Sequence, residues 1–182
     1  CLVPGNGQSD LANNRLCVLK STPTEHPALL LDFGKELQGG LQLVTGMPPS
    51  HDPVSVRVRF GESVSEAMCE IDGANGASND HAMRDFVVSL PWLGVQEIGN
   101  SGFRFVRIDV LGDSTELQLK EVRAISTFRD IPYLGSFRCN DERLNRIWKT
   151  GAYTVHLNMQ EYLWGRRKNG IVWSGWGIYI RR

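Results

Sequence analysis

Val54-Ser55-Val56-Arg57-Val58-Arg59-Phe60 places an apolar side chain at every second position and a polar or charged one between. A period of two is that of a strand with one face packed and the other in water. The same alternation recurs through Leu29, Leu31 and Phe33, through Leu41 and Leu43, and through Leu117 and Leu119 between Glu116, Gln118 and Lys120. In Phe103-Arg104-Phe105-Val106-Arg107-Ile108-Asp109-Val110 it slips by one residue between Phe105 and Val106. A bulge there, or one aromatic facing outward, keeps Val106, Ile108 and Val110 on the inner face. At least five strands are thus expected across 28–128. Turn signals separate them at Gly39-Gly40, Met47-Pro48-Pro49, Asp72-Gly73, Asn75-Gly76, Gly94, Asn100-Ser101-Gly102 and Gly112-Asp113. Short strands at this spacing predict a mainly β chain built as an antiparallel β-sandwich.

At Asn140 the period changes. Leu144, Ile147, Trp148, Val155, Met159 and Tyr162 fall at three- and four-residue steps, which predicts a helix over 141–164. Asn140 is the expected cap, with Asp141 and Glu142 where the helix dipole favours negative charge. Pro132 and Gly135 mark 129–140 as a linker from the β-domain at 1–128. An amphipathic helix on its own needs something to pack against.

Composition bounds the functions. The 182 residues are 41% hydrophobic and 22% charged, enough for one principal core with appendages. Twenty Lys and Arg balance twenty Asp and Glu, so the bulk attraction on which non-specific nucleic-acid binding depends is missing, and no nucleic-acid partner is expected. The longest aliphatic run, Ala28-Leu29-Leu30-Leu31, is far short of a membrane-spanning helix. The charge is uneven, because Arg166, Arg167, Lys168, Arg181 and Arg182 are the only charged residues after Glu161. Residues 165–182 read as an irregular basic tail.

Cys1, Cys17, Cys69 and Cys139 show neither Cys-x-x-Cys spacing nor neighbouring histidines, which argues against a disulfide scaffold or zinc site. Cys1 in place of Met, with no apolar signal segment before it, suggests a processed or clipped chain; of a mature lipoprotein and a truncation, the truncation is preferred. The compartment is left open, with periplasmic or secreted favoured over cytoplasmic. No cofactor is expected. Asp72, Asn75, Asn79 and Asp80 carry oxygen ligands that suit a structural calcium ion, but not at helix-loop-helix spacing, and a polar surface loop is the preferred reading.

Nucleophilic catalysis finds no support, since there is no Gly-x-Ser-x-Gly and His26, His51, His81 and His156 stand apart. Gly5-Asn6-Gly7 precedes no strand-helix unit. Glu62, Glu66 and Glu70 would align on a helix, but the β context predicts a loop or one short turn with a solvated face. Trp164, Trp173 and Trp176 beside the basic cluster describe a stacking wall for sugars or bases, if a frame holds them.

Three runs together carry a resemblance. Leu31-Asp32-Phe33-Gly34-Lys35-Glu36-Leu37-Gln38-Gly39-Gly40, then Phe60-Gly61-Glu62-Ser63, then Gly102-Phe103-Arg104-Phe105-Val106-Arg107-Ile108, resemble in order and spacing the accessory β-sandwich, jelly-roll or galactose-binding-like, of bacterial α-L-rhamnosidases of glycoside hydrolase family 78. Gly135-Ser136-Phe137-Arg138-Cys139-Asn140, with Leu144-Asn145 and Ile147-Trp148, resembles the entry into that family's catalytic α/α-toroid. The resemblance implies inverting hydrolysis of terminal α-L-rhamnosides and, as partners, rhamnose-containing glycans and a catalytic domain that this chain does not complete.

The family's acidic motif resembles Asp-Gly-x-Lys-Arg-Asp/Glu-x-x-x-Trp-x-Gly-Asp and follows the first helix. Here Trp164 precedes Gly165 directly, Lys168 takes the Arg place, Asn169 stands where the general acid belongs, Trp173 and Gly175 match, and Trp176 replaces the final Asp. An amide has no proton to give a glycosidic oxygen, so no catalytic residue is assigned. Lys168 and Trp173 are the expected substrate-binding residues. Both aspartates are lost where the basic tail begins, which suggests reading-frame slips near Trp164 and Gly175. The sequence therefore implies the N-terminal portion of a rhamnosidase-like hydrolase, inactive alone. Its rivals are a stand-alone carbohydrate-binding module stacking sugars on Phe103 or Trp92, and a structural brace exposing part of Trp148, Val155 and Met159.

Overall fold

The computed structural model describes residues 16–70 and 84–159. It divides into two compact units that meet between Thr127 and Phe128. The first is mainly β. Its strands are β1 (Cys17–Lys20), β2 (Ala28–Thr45), β3 (Val54–Gly61), β4 (Asp85–Leu90), β5 (Gly94–Val110) and β6 (Glu116–Ser126), and a five-residue helix, α1 (Val64–Met68), follows β3. They form one antiparallel sheet in the order β1-β6-β2-β5-β3-β4.

The sheet becomes sandwich-like because its two central strands are long and irregular. Ala28–Asp32 of β2 pair with Phe105–Asp109 of β5, and this half carries β3 and β4. Leu37–Thr45 pair with Gly94–Phe103, and this half carries β6 and β1. The register breaks between the halves, from Asp32 to Leu37, and again inside the second half, from Gly39 to Leu41. The sheet therefore curls, and residues from both halves meet in one core that includes Leu41, Leu43, Val56, Val58, Phe60, Phe103, Val106, Ile108, Leu117 and Leu119. Phe60 on β3 shows the closure directly: its ring packs on Gly99 of the opposite half, where a Cβ would lie 2.8 Å from the ring. Phe33, Phe103, Phe60 and Phe86 continue the contact as successive edge-to-face pairs with centroids 5.0–5.9 Å apart.

Two of the expected turns are not turns. Gly39-Gly40 lies inside β2, and Asn100-Ser101-Gly102 lies inside β5, with Gly39 opposite Ser101 and Gln38 opposite Gly102. The glycines mark a close approach: a Cβ on Gly39 would sit 1.9 Å from the Ile125 carbonyl oxygen, at a φ of +144°. What reads as several short strands is therefore two long ones bent at the same level. The slip between Phe105 and Val106 is real, since Phe103, Val106, Ile108 and Val110 are all fully buried while Phe105 is not. β1 and β4 are found in addition to the expected runs, with Cys17 and Leu19 inward on β1. Burial pushes the Cys17 thiol pKa up.

The second unit holds α2 (Glu142–Leu157). Its cap is Asp141, not Asn140: the Asp141 carboxylate accepts from the Arg143 amide at 2.8 Å and the Leu144 amide at 3.4 Å. A carboxylate adds charge to the hydrogen bond an amide would make there. The helix stops at Leu157, short of the expected 164, with Asn158 as its C-cap. Tyr162 lies outside the described residues. Asn145 clamps the preceding chain to the helix, accepting from the Cys139 amide and donating to the Cys139 carbonyl, both at 2.9 Å. His156, buried, has Nε2 2.6 Å from the Arg129 carbonyl oxygen. Nε2 must therefore carry the proton and donate, which in a neutral ring leaves Nδ1 to accept from the Tyr133 hydroxyl at 3.0 Å. Residues 128–139 thus lie along α2 and are held there by hydrogen bonds and by the ring of Phe128 against His156.

Gly39→Ala is expected to cost on the order of 3 kcal/mol or more, because both the φ and the Ile125 carbonyl oppose it. Gly34→Ala, at φ +81° with nothing near the new carbon, should cost about 1–2 kcal/mol. Urea unfolding of the two variants measures the difference, and equal losses would contradict the close-approach argument.

Candidate functional site

Two regions of the sandwich bring chemistry-bearing side chains together. The first is the outer surface of β3, where the inward-facing valines leave Arg57 and Arg59 on the opposite side. Arg57 grips Asp85 of β4 through two bonds of 2.9 and 2.6 Å and reaches Glu70 at 2.9 Å. Arg59, 4% exposed, binds Glu70 and Asp109, each at 3.0 Å, and the Cys69 carbonyl at 3.1 Å. Arg107 holds the other oxygen of Asp109. Beside this lattice Ser63 caps α1, and Glu66 accepts from the Glu62 amide while pairing with the buried Arg84. Glu62, Glu66 and Glu70 thus flank one short turn, as expected, but Glu66 and Glu70 are ion-paired rather than simply solvated.

The lattice is built to hold, not to transfer protons. A glycosidic general acid needs its carboxyl pKa raised so that it is protonated near neutrality. The Arg57 hydrogen bond, with Arg59 adding to it, instead holds Glu70 below the ordinary range. Glu116 is lowered by hydrogen bonds from Gln118 and Lys20. Asp32 falls to about 2, held first by the two bonds from Arg104 and then by the Gly34 amide, each 2.8 Å long. Among the described residues, Asp32, Glu70 and Glu116 are thus moved away from general-acid service. Among the described residues, no group of three or more His, Cys, Asp and Glu side chains is placed to hold a metal ion. Cys17, Cys69 and Cys139 are free thiols.

The second region lies where the β2–β3 and β4–β5 loops meet. Thr45, buried, places its hydroxyl 2.9 Å from the Pro91 carbonyl oxygen and 3.2 Å from that of Gly94, pinning the second loop to the end of β2. Trp92 donates its indole N–H to the Pro48 carbonyl at 2.8 Å, and its ring stacks on His51, with centroids 4.5 Å apart and planes 13° from parallel. His51 is exposed and has a φ of +58°, an uncommon conformation for a residue with a Cβ. Met47, Leu93 and Val95, each more than half exposed, belong to the same loops and the start of β5. The arrangement is a flat aromatic stack with an apolar surround, of the kind that can contact the apolar face of a sugar ring.

Of the two aromatics expected to stack on sugars, Trp92 is half-buried with its ring against His51. Phe103 is fully buried in the core and cannot meet a ligand. His51 was legible only as an isolated histidine, because its partner lies forty-one residues away and the two loops meet through the pairing of Thr45 at the end of β2 with Gly94 at the start of β5. Asn169, Lys168 and Trp173 lie outside the described residues, as do Trp164, Trp176 and the candidate calcium ligands Asp72, Asn75, Asn79 and Asp80. No helix among the described residues is long and apolar enough to cross a membrane.

Neither a protein-family model nor a curated protein sequence matches the chain. Among solved structures, it is similar to a rhamnosidase from Klebsiella oxytoca with rhamnose bound, with a TM-score of 0.66 and 18% sequence identity over 80% of this chain. The chain spans 29% of the length of that protein's chain. The two share a rhamnosidase-like fold over this stretch.

The Asp32 shift sets a pH dependence with a definite sign. The folded state holds this proton more weakly than the unfolded chain, so the contribution is present above the unfolded carboxyl pKa of about 4 and is lost as pH falls toward about 2. A carboxyl-detected NMR titration should place the Asp32 midpoint near 2; a midpoint near 4 would show that the Arg104 pair does not form in solution.

Proposed function

We propose that the chain corresponds to the accessory β-sandwich and the opening helix of the catalytic α/α-toroid of an α-L-rhamnosidase-like glycoside hydrolase, and that it is inactive alone. The observation that carries this reading is the likeness of fold to a rhamnosidase over 80% of the chain. The three sandwich runs and the Gly135–Trp148 entry are the residues whose resemblance to that family agrees with it. In the intact parent the reaction is inverting hydrolysis of terminal α-L-rhamnosides, with two carboxyl groups and a water between them. Asn169 stands at the general-acid position and has no proton to deliver, and Lys168 and Trp173 are the substrate contacts that this chain retains. Rhamnose-containing glycans are then partners of the parent, in the periplasm or outside the cell.

A second reading rests on the His51–Trp92 stack. Here the sandwich is a carbohydrate-binding module in its own right, and the exposed imidazole face is the stacking surface.

Purified chain incubated with an aryl α-L-rhamnoside should release no aryl alcohol above a blank, and turnover would overturn the claim of inactivity. Reading the coding DNA through and beyond the Gly175 codon tests the parent: another frame should restore Gly-Asp and continue into helical sequence. A genuine stop after Arg182 in every frame, with calorimetric heat on titrating rhamnose that Trp92→Ala abolishes, would favour the binding module instead.

A further inference from the structure

In the second unit, α2 and the chain before it set a hydroxyl against an imidazole. His156 lies in the last turn of α2, is 3% exposed, and has its ring fixed from three directions. Nε2 donates to the Arg129 carbonyl at 2.6 Å, the ring of Phe128 lies against it with centroids 3.7 Å apart, and Nδ1 is 3.0 Å from the Tyr133 hydroxyl. A carbonyl can only accept, so the neutral ring keeps its proton on Nε2 and turns the lone pair of Nδ1 toward Tyr133. Tyr133 is 54% exposed. Its oxygen therefore stands at the surface while its proton already points at a base. A hydroxyl, a base within hydrogen-bond reach and a third group that fixes the tautomer of the base are the parts of an activated nucleophile. Neither half of the pair has a local signal, since the two residues are twenty-three apart and meet only because 128–139 folds back along the helix.

We propose that Tyr133 is a nucleophile that takes an acyl group from a small activated ester, with His156 as its general base and the Arg129 carbonyl as the group that orients the base. As the Tyr133 oxygen bonds to the acyl carbon, its proton passes to Nδ1 of His156. The bond from the acyl carbon to the leaving oxygen breaks, and its electron pair departs on that oxygen as an aryloxide. The imidazolium so formed shares its charge through Nε2–H with the Arg129 carbonyl, then gives its extra proton to the aryloxide and returns to the neutral ring. The products are an ester at Tyr133 and a free phenol, one acyl group per chain. This chemistry is separate from rhamnoside hydrolysis and does not rest on that reading: it uses no carboxyl group, and nothing in it depends on how the chain continues.

The test is acetylation of the full chain by 4-nitrophenyl acetate at one mildly alkaline pH, followed peptide by peptide with mass spectrometry so that Tyr133 is read apart from lysines and cysteines. Tyr133 in the folded chain should be acetylated at least tenfold faster than N-acetyltyrosinamide, and at least tenfold faster than the same residue in chain unfolded by urea, where the base is no longer beside it. His156→Gln keeps a side-chain N–H for the Arg129 carbonyl but supplies no base, and should bring the rate at Tyr133 down to that of N-acetyltyrosinamide. Acetylation of Tyr133 no faster in the folded than in the unfolded chain would overturn the proposal, and that comparison needs no variant to fold. A fast rate that His156→Gln leaves unchanged would overturn it as well, by showing that exposure and not the imidazole makes the hydroxyl reactive.

Discussion

Strands β2 and β5 pair along nearly their whole length, and neither half of that ribbon could be covered if it stayed flat. Its bend supplies the cover. At the level of Gly39 the backbone passes so close to the Ile125 carbonyl that no side-chain carbon fits between them, and two residues further along the ladder Gly99 gives its space to the ring of Phe60. Folding the ribbon there brings β3 and β4 over β6 and β1, so one hydrophobic core is made from a single sheet. The loops that carry His51 and Trp92 leave one end of the same ribbon, where Thr45 pairs with Gly94. The Arg57–Arg59 lattice then braces the outer surface, each cation held between carboxylates from β4, β5 and the turn after α1.

That division of labour bears on function. Asp32 and Glu70 are held by arginines and release their protons more readily than usual, which suits a scaffold and does not suit general-acid catalysis. The helical unit is the opposite case. Its polar contacts are well made, through Asp141, Asn145 and His156, while Leu144, Ile147 and Val155 remain in water.

Much of this was legible in the sequence where one physical signal acted alone. The strict alternation of Val54 to Phe60 predicts β3, the slip at Phe105–Val106 marks Phe105 as the aromatic left out of the core, and Met47-Pro48-Pro49 and Gly112-Asp113 are true turns. Reading failed where one residue type serves two ends. Glycine marks both turns and close approaches, so Gly39-Gly40 and Gly102 looked like strand ends when they were strand interiors. Phe103 looked available for a ligand because a local pattern does not say which aromatic the fold buries. Asn140 and Asp141 are adjacent and both able to cap, and the carboxylate took the site. The His51–Trp92 stack had no local signal at all, being made by long-range pairing.

The central claim is that the sandwich is complete in itself while α2 lies bare on its apolar side. Hydrogen exchange on the purified chain, read by mass spectrometry peptide by peptide, tests it most directly. The account predicts that amides of β2 and β5 around Leu41–Leu43 and Val106–Val110 exchange only by global opening, while those of α2 from Ile147 to Val155 exchange orders of magnitude faster. Equal protection of α2 and the central strands would show that the helix is already covered, and would contradict it.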